Sequence, residues 1–183
     1  MGDAARAIPR LPGSRRPSLF APTAMFPALR PILNKGGAGR YISREESVER
    51  LQPIVERQLD LVYLYDAAVS RLADGPAKTR LTGIMPYLRT ELSKLYETVF
   101  SLGGTAPTGV EREARGVDPG ATDDERLGAL VDAERAFSEA LRHEADEVHH
   151  QERTRAILNH NADASASRLD VLREFTRTTS TRD

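Results

Sequence analysis

From Ser43 onward the apolar positions fall at alternating spacings of three and four. Val48, Leu51, Val55, Gln58, Val62, Tyr65, Val69 and Leu72 form one such stripe, which predicts a long first helix over about 47–73. Ser43 with Glu46 has the form of a capping box, and Ser47 offers a second cap. Pro53 lies inside the stripe and is expected to bend the first two turns or delay the start. Asp74-Gly75-Pro76 ends this helix and begins the next.

The second helix, about 77–102, places Leu81, Met85, Leu88, Leu92, Leu95, Val99 and Leu102 on one face with no polar interruption. Gly83 and Pro86 predict a local kink, and Gly103-Gly104 supplies a stop. Residues 103–122, rich in Gly, Pro and Thr, read as an exposed connection long enough to run the length of a bundle. The third helix begins at Thr122, where Asp123, Asp124 and Glu125 suit the positive end of a helix dipole. Its stripe is Leu127, Leu130, Glu134, Phe137, Leu141 and Val148, so carboxylates take up Glu134 and, less clearly, Glu144 among the inward places. With no Gly or Pro to mark the next turn, length alone puts it near 144–150, giving a third helix over 123–143. The last helix, about 150–177, uses Leu158, Ala162, Ser165, Leu169, Leu172 and Phe175 before its end frays. Four helices of similar length, each with one apolar stripe, bury those stripes best against one another. The expected fold is all-α: an antiparallel four-helix bundle over residues 43–183.

Residues 1–42 break the pattern. They hold Pro9, Pro12, Pro17, Pro22, Pro27 and Pro31, a density at which regular structure is not expected. Leu19, Phe20, Met25, Phe26, Leu29 and Leu33 nonetheless supply large apolar side chains that a merely solvating tail would lack. Seven basic residues, Arg15 and Arg16 among them, oppose only Asp3, so this segment carries +6 and the remainder −7 of the net −1. Three readings of it stand: an arm that docks on a partner or a second copy, a disordered tail, or an organelle transit peptide.

Composition narrows the chemistry. The chain has no cysteine, which excludes disulfides, thiolate metal sites and cysteine nucleophiles and fits a reducing, cytoplasmic setting. An organelle matrix is the alternative setting if the basic start is a transit peptide. No apolar run reaches the ~18 residues needed to cross a bilayer. "NKGGAGR" at 34–40 lacks the Lys-Ser/Thr ending of a phosphate loop, and "RRPS" at 15–18 has only the short outline of a kinase site on Ser18. Nucleic-acid binding is not expected, because the arginines are sparse and the body is acidic.

"LQPIVERQLDLVYLYDAA" at 51–68, followed by "LRTELSKLYETVFSLGGTAP" at 88–107, resembles the first hairpin of the ferritin-like superfamily, in its bacterial branch of unknown function. "LVDAERAFSEALR" at 130–142 and "SRLDVLREF" at 167–175 are similar to the second hairpin. The resemblance implies a metal centre built from Glu on the first helix and Glu-x-x-His on the second, repeated in the second hairpin. Residues three apart share a helix face, which lets four helices surround two metal ions. This chain departs from that set. Its second helix offers Leu88-x-x-Glu91 or Glu91-x-x-Lys94, and an ammonium has no lone pair to give. Its fourth offers Ala162 and Ser165 where Glu and His are implied.

One Glu-x-x-His is present, Glu147 to His150, with Asp146 to His149 beside it, but near the expected turn. His143, Glu147 and His150 are placed to share a face around a stray divalent ion, though a solvated polar turn is the commoner case. His160 reads as an exposed helix residue. Glu134, in an apolar stripe, is costly if unpaired and is expected either to bond Tyr65 or Arg89 or to be the remnant of a metal site. The leading expectation is a non-catalytic bundle without a cofactor that works by protein association or self-association through its arm. The alternative is an iron- or manganese-dependent ferritin-like oxidoreductase or iron-handling protein. It would use Glu91 and Glu134 with carboxylates such as Glu56, Asp60 or Asp66.

Overall fold

A computed structural model describes residues 42–107, 117–148 and 151–180, with side chains through Arg177. The arm candidates Arg15, Arg16, Leu19, Phe20, Met25, Phe26, Leu29 and Leu33, and also His149 and His150, lie outside the described residues. Within them the chain forms four helices and no strand: α1 (Arg44–Arg71), α2 (Pro76–Ser101), α3 (Asp123–Glu147) and α4 (Glu152–Ser180). No helix among the described residues is long and apolar enough to cross a membrane.

Local chemistry sets the ends. The Ser43 hydroxyl accepts the Glu46 N–H at 3.1 Å and opens α1, with Glu45 and Glu46 in the first turn. α1 then runs unbroken through Pro53, whose exposed ring costs one backbone bond but displaces no core side chain. α2 starts on Pro76, where a missing N–H leaves nothing unpaired. At its far end the Gly103 N–H donates to Phe100 O at 2.9 Å and the Gly104 N–H to Val99 O at 3.0 Å. Gly103 takes φ +88°, the left-handed turn that favours glycine, so the pair of bonds closes a Schellman cap. Thr122 and Glu125 form a reciprocal capping box at the start of α3.

The apolar stripes turn inward. All the α2 stripe from Leu81 to Val99 is buried, as are Leu158, Ala162, Leu169 and Leu172 of α4. Ile42, before α1, is also part of the core, so the bundle begins one residue earlier than the prolines and charges indicate. α3 continues one turn past residue 143 to Glu147, because Ala145 and Val148 still have core to bury and Arg50 of α1 reaches Glu144 at 3.6 Å and Glu147 at 3.3 Å.

α1 neighbours α2 and α3, while α4 neighbours α3 and α2; α1 faces α4 and α2 faces α3 across the diagonals. α1 and α3 are antiparallel. Arg50 meets Glu144 and Glu147 at one end, Tyr65 meets Glu134 midway, and the Ala73 N–H meets Asp123 at the other end, 3.2 Å away. α2 and α3 therefore run in the same direction, and the chain between them has to return along the bundle. Its two ends agree: the Thr105 carbonyl lies 3.4 Å from Gln52 Nε2, and Asp118 lies 3.5 Å from Arg71. The order is up-down-down-up, with one long crossover.

Candidate functional site

The bundle axis is polar at mid-height, and every helix contributes. Glu134 of α3 and Tyr65 of α1 have no exposed surface, Arg168 of α4 is 5% exposed and Glu91 of α2 is 7% exposed. Arg168 grips Glu134 side-on, Nε at 2.5 Å from Oε1 and Nη2 at 3.3 Å from Oε2, and its Nη1 lies 2.6 Å from Glu91 Oε2. The Tyr65 hydroxyl donates to Glu134 Oε1 at 2.8 Å. Ser165, one turn before Arg168, donates to Glu134 Oε2 at 2.5 Å. Three of the guanidinium's five N–H donors thus point at carboxylates, and both Glu134 oxygens accept two bonds each.

The electrostatics follow from this geometry. Burial by itself pulls the Arg168 guanidinium down. The charge and hydrogen bonds of Glu134, joined by the charge of Glu91, outweigh it and hold the group above its ordinary value. Burial, reinforced by the charge of Glu134, pushes the Tyr65 phenol well above its ordinary value. Tyr65 therefore stays a neutral donor and Arg168 stays a cation, which are the states these bonds require.

Of the residues singled out by the sequence, Glu91 and Glu134 are brought to one place, but through Arg168 rather than directly. Glu134 does bond Tyr65; Arg89, the other partner considered, pairs instead with Asp66 at 2.7 Å on the surface. Glu147 closes α3 against Arg50, away from this centre. His143 and His160 are exposed, and so is Asp60, on a surface groove of about 510 Å³ between α1 and α3 lined by Leu61, Leu64 and Phe137 among others. Arg168 itself gave no signal in the stripe. A long arginine beside an inward Leu169 reads as a surface residue that lays its stem over the core.

A di-iron centre needs carboxylates and imidazoles with lone pairs free for the metal. The donors here are two carboxylates already turned on a guanidinium, a neutral phenol and a hydroxyl, with no imidazole beside them among the described residues. The set does not fit iron. Among the described residues, no group of three or more His, Asp and Glu side chains is placed to hold a metal ion. No protein-family model matches the chain, and no curated protein does.

Proposed function

We propose that this chain is a non-catalytic bundle of the ferritin-like kind, acting as a structural or interaction subunit that docks through its N-terminal arm. The single observation that carries the reading is Arg168. Its guanidinium takes up the carboxylates of Glu91 and Glu134 that a metal-dependent enzyme would need, and it supplies the positive charge a metal would otherwise bring. The ferritin-like part is supported by the up-down-down-up order with one long crossover, an arrangement seen in that class. It is supported also by a cluster drawn from all four helices, with Leu88-x-x-Glu91 and Ser165-x-x-Arg168 on α2 and α4. A bundle whose interior carboxylates are taken up in this way acts through its surface and its extension. The +6 arm with its interspersed apolar residues and the −7 remainder give it two chemically distinct parts for contact, and the prolines lower the ordering entropy the arm loses on binding.

The test is affinity purification of the full chain and of a chain lacking residues 1–41, which keeps the core residue Ile42, followed by mass spectrometry and light scattering. Stoichiometric companions, or self-association, that disappear with the arm are the expected result. A bare monomer from both removes the docking role.

A further inference from the structure

We propose that the α2–α4 face is the seam at which the bundle opens, and that the Arg168–Glu91 ion pair is its latch. The four adjacent helix faces are not equivalent. α3 and α4 pack most closely and α2 and α4 least closely. On the close face α4 presents the short side chain of Ser165 to α3. Ser165 reaches the Glu134 backbone carbonyl at 3.2 Å, a contact that only a short side chain between near helices allows. The α1–α3 face is tied along its whole length, by Arg50 at one end, Tyr65 midway and Asp123 at the other end. Across α2–α4, Arg168 Nη1 reaches Glu91 Oε2 at 2.6 Å, at mid-height.

The two carboxylates are also placed differently. Glu134 is fully enclosed and holds Arg168 by two bonds, so the guanidinium belongs to the α3–α4 pair. Glu91 keeps slight exposure and accepts one bond from Arg168, so this bond is the one that breaks as α2 moves out. Opening energies follow the local density of buried packing, and of the four adjacent faces the α2–α4 face is the least closely packed.

Hydrogen exchange of the full chain, read by mass spectrometry, tests this. In the wild type, α2 between Leu88 and Val99 is expected to lose protection before the interior of α3, although both are equally central in the fold. Glu91→Gln, which keeps an oxygen to accept from Arg168 and removes the charge, should quicken exchange in α2 by about 5- to 10-fold, the difference between a charge-assisted hydrogen bond and a neutral one. α3 should change by about twofold or less. Tyr65→Phe, which cuts a tie on the α1–α3 face, should not select α2. Equal protection of α2 and α3 in the wild type overturns the proposal without recourse to any variant. So does a Glu91→Gln effect spread evenly over the four helices.

Discussion

Arg168 binds Glu134 through two parallel N–H donors, 2.5 and 3.3 Å long, with both residues almost wholly removed from water. A buried carboxylate tolerates that position only while its cation is present. Arg168→Met keeps much of the stem volume and deletes the charge, leaving Glu134 and Glu91 unneutralised. The unfolding free energy should fall by about 3–5 kcal/mol, read from the urea midpoint. Replacing all three charged residues by apolar ones, Glu91→Leu with Glu134→Leu and Arg168→Met, together with Tyr65→Phe so that no phenol is stranded without its acceptor, should restore stability to the wild-type level or above it, since no charge then remains to desolvate. A single variant as stable as the wild type would show that the charges are not buried as described.

Tyr65 gives the cluster a signature in alkali. Its folded-state phenol is held well above its ordinary value, first by burial and then by the charge of Glu134. The folded chain therefore binds the phenolic proton more tightly than the unfolded chain does. The stability this contributes is fully present below about pH 10 and is lost as pH rises from there through the folded-state value. Thermal melts from pH 9 upward should show the loss, and Tyr65→Phe should flatten that part of the curve. The same variant should cost about 1.5–3 kcal/mol at pH 7, the worth of a hydrogen bond to a charged acceptor. An identical alkaline slope in both proteins would place Tyr65 outside the titration.

How much of this the sequence reveals depends on how far each interaction reaches. The stripes of α1 and α2 are legible because burial repeats every three or four residues, and an acid in such a stripe stands out, as Glu134 does. Arg168 stays hidden because its partners are 34 and 77 residues away, and nothing local separates a buried guanidinium from an exposed one. Arg89 shows the converse: a plausible partner for Glu134 by position, it turns outward to Asp66. α3 ends a turn beyond residue 143 because its last contacts are with Arg50, on another helix. Helix order around the bundle was equally out of reach, since a long connection alone permits more than one path.

Gly104 presents a local test of packing at the α2 terminus. A Cβ there would lie 2.5 and 2.9 Å from the two Val48 methyl carbons and 2.9 Å from Val99 Cγ1. Both neighbours are β-branched and stiff, so neither yields easily. Gly104→Ala should destabilise the bundle by about 1–3 kcal/mol. Val48→Ala in the same chain should recover part of that loss, a coupling that thermal or urea unfolding of the two single variants and the double variant would measure. Strict additivity of the two changes would mean that the residues do not touch.

Metal content separates the proposed function from its rival. Binding iron at the axis means displacing a guanidinium that two carboxylates hold by three short or moderate bonds, and among the described residues no imidazole lies beside them to compensate. The protein purified from cells grown with iron and manganese should carry no stoichiometric metal by plasma mass spectrometry, and a chelator should leave its melting temperature unchanged. Glu91→Ala and Glu134→Ala should change stability, the latter by about 3–5 kcal/mol because Arg168 loses its main partner, with no accompanying change in metal. Iron present at one or two ions per chain, and lost in Glu134→Ala, would return the metal-dependent reading. It would also require Arg168 to leave the axis in the loaded state.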